Sequence, residues 1–109
     1  MDQPYKSRVD AILPVRIWGL DNDSRPFIQL ARAKNISSVR AVVQGLAPQI
    51  KPGEIVDVQY EGNKAQFRVI WTGRAGTQRQ GEIGIEKLPM EPCIWDANVL
   101  QCMQFVGNG

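Results

Sequence analysis

Histidine is absent from this chain of 109 residues, and cysteine occurs only twice. Without histidine, the Ser–His and Cys–His pairs that activate most protein nucleophiles cannot form. A zinc site needs about four nitrogen or sulfur ligands, which Cys93 and Cys102 cannot supply. On one helix they would lie about 13 Å apart, too far for a disulfide. We therefore predict no enzyme, no metal site and no cofactor, and both cysteines as small buried hydrophobes.

Long apolar runs are missing as well. No stretch approaches the roughly 20 apolar residues that span a bilayer, and the N-terminus lacks an apolar signal segment. The net charge of +2 is too small to favour a long nucleic acid, although residues 1–40 hold seven Lys or Arg against four Asp. This mild excess suits a small anionic ligand. We expect one cytoplasmic domain without membrane insertion.

Hydrophobic and polar residues instead alternate in six short runs, which turn residues separate at roughly ten-residue spacing. Such a pattern predicts an all-β fold, a six-stranded antiparallel barrel over residues 11–90. Residues 1–10 are polar and aperiodic, which predicts a flexible arm. The predicted strands are Ile12–Gly19, Phe27–Ile36, Val39–Leu46, Glu54–Glu61, Lys64–Thr72 and Glu82–Leu88.

The fourth and fifth runs predict a hairpin. Gly62 and Asn63 fit the two central positions of a two-residue turn, with glycine supplying a positive φ. That turn would pair Val58 with Phe67 and place the apolar side chains of both strands on one face.

The second run alternates poorly. Ile28 and Leu30 share their parity with Arg32, so a β-bulge near Ala31 or Ala33 is expected to restore the inward pattern.

Two tryptophans receive opposite predictions. Trp18 has the outer parity of the first run and is the best candidate for a contact with a partner or a helix. Trp71 continues the parity of Val69, so it is predicted to lie in the core.

From Cys93 onwards the hydrophobic period changes to that of a helix. Trp95, Val99, Cys102 and Val106 fall on one helical face, which predicts an amphipathic C-terminal α-helix within residues 91–109. This helix would pack against the barrel or against a protein partner.

A polar break, Asn35-Ile36-Ser37, separates the second and third runs. Asparagine and serine hydrogen-bond their own backbone, so the break is typical of a corner between strands. The alternative interpretation is a polar ledge that contacts a ligand.

Several stretches between about Arg8 and Leu88 resemble the PilZ domain, the bacterial cyclic-di-GMP receptor module. The segment 8–15 is similar to the one in which the family's Arg-x-x-x-Arg motif enters the first strand. Residues 35–37 are similar to the opening of its Asp/Asn-x-Ser-x-x-Gly motif. The segments 69–71 and 83–86 look like its two late strands.

The resemblance implies a module that binds cyclic-di-GMP and relays the binding through protein contacts. Arginine would donate a bidentate fork to guanine or phosphate, while asparagine and serine would contact the guanine edge. The implied ligand-binding residues are Arg8, Asn35 and Ser37, with Lys6 and Arg40 as substitute contacts.

Two positions depart from the motifs. Pro4 stands where the family has its other arginine, and Arg40 stands at the closing glycine. Loss of one bidentate contact would cost about 1–3 kcal/mol, which predicts weakened binding. Two alternatives therefore stay open: a PilZ-like protein-interaction adaptor that does not bind the nucleotide, and a small-barrel nucleic-acid-binding module.

Overall fold

The chain forms a closed six-stranded barrel in a computed structural model that describes residues 11–95. Around the barrel the strand order is β1-β2-β3-β6-β5-β4, and all neighbours are antiparallel. The predicted barrel is confirmed, and every strand end lies within two residues of its predicted position. The strands are β1 (Leu13–Leu20), β2 (Pro26–Lys34), β3 (Arg40–Gln44), β4 (Ile55–Tyr60), β5 (Asn63–Thr72) and β6 (Ile83–Lys87).

Alternate side chains of these strands fill the barrel. Ile17, Val58 and Phe67 are completely buried. Several inward positions carry alanine, because a small closed barrel has room for only a limited side-chain volume inside. The inward alanines are Ala31, Ala33, Ala41 and Ala65.

These inward alanines correct the prediction for β2. β1 and β2 pair without a break from Leu13↔Ala33 to Leu20↔Pro26, so no bulge occurs near Ala31 or Ala33. The strand buries its alanines and points Ile28 and Leu30 outward, where they are 66% and 72% exposed. The prediction was wrong because it assigned the larger apolar side chains to the core.

The β4–β5 hairpin is confirmed, but its turn lies one residue earlier than predicted. Tyr60 pairs with Asn63, so Glu61 and Gly62 form the turn, and Glu61 takes the positive φ of 55°. Val58 consequently pairs with Ala65 rather than Phe67. The register differs by two residues, and since side chains alternate with a period of two, the same residues still face inward.

A β-bulge places Trp71 on the opposite face from the one predicted. The β5–β6 register is regular as far as Val69↔Ile85, then shifts so that Trp71 pairs with Gly84 on the outside of the barrel. A Cβ atom at Gly84 would collide with the indole Nε1 of Trp71. The prediction was wrong because simple alternation does not register the extra residue of a bulge.

After β6 the chain continues to Trp95 without helical structure. Residues 93–95, predicted as the start of the helix, are irregular, and the rest of the predicted helix lies outside the described residues. Trp95 packs in the core, with its ring centroid 5.7 Å from that of Tyr60. Cys93 is exposed, which corrects the prediction of a buried thiol, whereas Cys102 lies outside the described residues.

Between residues 11 and 95 there is no helix of the length and apolarity needed to cross a membrane.

Candidate functional site

The polar break joins β2 to β3, and we call residues 35–40 the ledge. Leu13, the first residue of β1, pairs with Ala33, two residues before the ledge begins. The ledge therefore lies at the barrel end where the chain enters β1. Arg8 and Lys6 belong to the segment that precedes β1, and both lie outside the described residues.

Asn35 begins the ledge in a left-handed backbone conformation, with φ of 53°. Asparagine tolerates this region better than most residues, which explains why β2 stops here. The next residue, Ile36, is completely buried in the core and anchors the ledge to the barrel. The predicted corner is thus confirmed, with one side chain fixed inside and its polar neighbours outside.

Ser37 closes the ledge by hydrogen bonds to its own loop. Its backbone N–H donates to the carbonyl oxygen of Arg40 at 2.8 Å. Its hydroxyl oxygen accepts from the N–H groups of Arg40 at 3.0 Å and of Val39 at 3.3 Å. The serine hydroxyl is therefore already engaged in holding the loop shape.

Arg40 is the first residue of β3 and has a partner across the sheet. Its Nε and Nη2 atoms lie 3.4 and 3.3 Å from Oε2 of Glu86, the residue opposite it on β6. Both side chains are about half exposed. An anion that approached Arg40 would compete with this carboxylate.

Sequence reasoning missed one arginine in the same row. Arg68 on β5 pairs with Glu86 from the other side, so two arginines flank one glutamate across three strands. Within the described part of the chain, Arg68 makes no ion pair. The row therefore carries one more positive than negative charge. This excess can be recognised only once the strand register is known.

Of the predicted contacts on the ledge, Asn35 is the one whose side chain is open to a ligand. It is half-buried, and none of residues 11–95 hydrogen-bonds to its amide. An amide offers one acceptor oxygen and two donor hydrogens, which match the edge of a nucleobase. Asn35, Ser37 and Arg40 are thus brought together at one barrel end, but only Asn35 is unengaged.

The opposite end of the barrel holds a pocket of about 280 Å³ that sequence reasoning did not single out. The β3–β4 connection, the end of β5 and the glycine-containing β5–β6 loop line it. Asn35, Ser37 and Arg40, the predicted ligand-binding residues within the described part of the chain, do not line it. Its polar side chains are Asn22, Gln49, Thr72, Gln80 and Glu82.

Among residues 11–95, no group of three or more Asp, Glu or Cys side chains is placed to hold a metal ion.

Comparison of the sequence with known protein families and with curated proteins produced no match. The functional interpretation therefore rests on the ledge and on the motif residues.

Proposed function

We propose that this chain is a PilZ-like signalling module that binds cyclic-di-GMP at the ledge and relays the binding through contacts with a protein partner. One observation supports this proposal above the others: the ledge lies at the barrel end where the segment that carries Arg8 enters β1. Arg8 and Lys6 from the arm and polar groups from the ledge would then meet one ligand.

Ligand chemistry fits this arrangement. Cyclic-di-GMP carries two phosphates and two guanines. Its binding therefore requires positively charged groups that donate paired hydrogen bonds, and amide-like donors and acceptors for the guanines. Arg8 and Lys6 would supply the positive charge from the arm. Asn35 offers its unengaged amide for a guanine edge, and Arg40 lies five residues further along the same loop.

Isothermal titration calorimetry of the full chain with cyclic-di-GMP tests the proposal. We expect saturable binding, which Arg8→Ala weakens by roughly 5- to 150-fold through loss of a bidentate contact. Asn35→Gly removes the amide but keeps the left-handed backbone accessible. A loss of affinity in this variant would therefore be caused by the missing side chain and not by a changed loop conformation.

Arg74→Ala is the matched control, because this exposed arginine lies in the β5–β6 loop at the other end of the barrel. Equal losses in Arg8→Ala and Arg74→Ala would point to general electrostatic attraction and contradict a site at the ledge. A flat titration of the unmodified chain would overturn the proposal altogether.

The second candidate is a PilZ-like adaptor that contacts a protein and does not bind the nucleotide. Two contacts favour it: the hydroxyl of Ser37 holds its own loop, and Arg40 already faces Glu86. Glu86→Gln separates the candidates, because it removes the carboxylate that competes for Arg40. A receptor would bind cyclic-di-GMP more tightly after this substitution, whereas an adaptor would give flat titrations before and after it.

A further inference from the structure

The outer side of β1 and β2 is unusually apolar for the exterior of a small barrel. Side chains that face outward include Trp18 and Leu20 on β1 and Ile28 and Leu30 on β2. Leu20, Ile28 and Leu30 are 42%, 66% and 72% exposed. We call this surface the β1–β2 face.

Strand register makes these residues one continuous surface. Trp18 is paired with Ile28, and Leu30 is paired with Arg16 in the adjacent outward row. Contiguous exposed apolar surface on a soluble domain marks an interaction site more often than scattered single residues do.

Charge is distributed unevenly along the β1–β2 face. Neither strand contains an aspartate or glutamate, and the half nearer the ledge carries Arg16 and Arg32. The other end is the β1–β2 turn, where Asp21 and Asp23 outnumber Arg25. The Asp23 carboxylate is 71% exposed, and its only ion-pair contact within residues 11–95 is the Arg25 guanidinium at 3.8 Å.

A surface that is apolar in the middle, positive at one end and negative at the other is complementary to itself. A two-fold axis lying across the strands at the level of Trp18 and Ile28 reverses the strand direction between two copies. The arginine end of each copy then lies opposite the aspartate turn of the other. A two-fold axis along the strands would instead set the arginines of the two copies at the same level, where they repel.

We propose that the β1–β2 face is the surface through which two copies of this chain associate. The contact is isologous: Trp18 and Ile28 meet their counterparts at its centre, and Arg32 faces Asp23 of the second copy. This association goes beyond the proposed nucleotide binding and does not depend on it, because the ledge lies outside the β1–β2 face.

The size of the face sets the strength of the contact. Eight residues of β1 extend over roughly 25 Å, and two strands with their side chains cover a width of roughly 10–15 Å. The resulting area of roughly 300 Å² is less than half of the ~800 Å² per partner that stable complexes bury. We therefore expect a reversible dimer that forms at high micromolar concentration.

Sedimentation velocity of the full chain from micromolar to millimolar concentration measures this association. The weight-average sedimentation coefficient is expected to rise from the monomer to the dimer value. Leu30→Glu places a carboxylate in the apolar row next to the centre of the contact and should weaken the dimer at least about tenfold. Ile28→Lys is the second variant, for the case in which Leu30→Glu fails to fold.

Met90→Glu is the matched control, since Met90 is 92% exposed and follows β6, away from the β1–β2 face. It should leave self-association unchanged.

A charge exchange tests the arrangement of the two copies. Arg32→Asp and Asp23→Arg should each weaken the dimer, and the combination of both should restore it. A chain that stays monomeric at millimolar concentration would overturn the proposal and leave the face to a different partner. Equal losses in Leu30→Glu and Met90→Glu, or a double exchange no better than the single ones, would overturn it as well.

Discussion

Two sides of the same barrel differ in how far their outward-facing apolar side chains are covered by other side chains. On the side formed by β5 and β6, Trp71 lies over Gly84, and the guanidinium of Arg79 lies 5.3 Å from its ring centroid. On the side formed by β1 and β2, Trp18 has the Lys64 amine 5.6 Å from its ring centroid, but the apolar residues around it stay exposed.

Ion pairs cover part of the surface beside β6. Glu82, which precedes β6, forms ion pairs with Lys34 at 2.8 Å and with Arg79 at 3.6 Å. Its side chain is only 12% exposed. Leu20, Ile28 and Leu30 of the β1–β2 face are exposed and have no such polar cover within residues 11–95. A barrel surface that its own side chains cover contributes to stability, whereas one left apolar is available for binding.

The largest expected effect concerns the close approach of Trp71 to Gly84. Gly84→Ala should lower the free energy of unfolding by up to about 3 kcal/mol, because the new Cβ displaces the indole. Gly62→Ala is the control, since within the described part of the chain no atom beyond the two adjacent residues lies within 4 Å of the Cβ position there. Urea unfolding of the two variants measures the difference. If Gly84→Ala were as stable as the unmodified chain, Trp71 would not be needed in its observed position.

An intermediate effect separates the two outer tryptophans. Trp71→Ala should cost about 2 kcal/mol and Trp18→Ala about 1 kcal/mol, both less than the 3–5 kcal/mol typical of a buried aromatic. Each loses a cation–π contact of similar length, so the difference reports the packing over Gly84. Thermal and urea unfolding at low protein concentration provide the measurement. A larger loss at Trp18 would reverse the comparison between the two sides.

The smallest expected effect is on the β1–β2 face. Leu30→Thr should change the free energy of unfolding by less than about 0.5 kcal/mol, because the side chain is 72% exposed in the monomer. Leu46→Thr is the matched control: this leucine is only 8% exposed, and the same substitution should cost about 2 kcal/mol or more. Comparable losses at both positions would show that another part of the chain covers Leu30.

Alternation and turn residues were sufficient to predict the barrel. Period-two patterns identified five of the strands, since inward and outward positions of a strand differ in polarity wherever one face is buried. The second strand alternates poorly and was identified with the help of the turn residues on either side of it. The hairpin faces were also correct although its register was not, because a shift of two residues leaves every side chain on its own face.

Errors occurred where size or local irregularity overrides alternation. Hydrophobicity alone ranks Ile28 and Leu30 above Ala31 and Ala33 as core residues, but the interior holds the smaller pair. The extra residue of a bulge turned Trp71 outward without a sequence signal such as a glycine within the strand.

For the candidate site, similarity to the family selected five residues, of which Asn35, Ser37 and Arg40 lie together at one barrel end and Lys6 and Arg8 lie outside the described residues. Hydrogen bonds of Ser37 within its own loop were predictable, because their partners are at most three residues away. The ion pair of Arg40 was not, because Glu86 is 46 residues away in the chain. The position of Arg68 opposite Glu86 could not be predicted either, because it depends on the register between β5 and β6.

The sequence by itself determined the number and order of the strands and the corner at Asn35, because local alternation and backbone preferences act within a few residues. Only the tertiary structure decided which apolar side chains fit inside, where the bulge turns Trp71 outward, and which charges meet across strands. Those outcomes depend on the limited volume of a closed barrel and on strand register, and both are set by residues far apart in the chain.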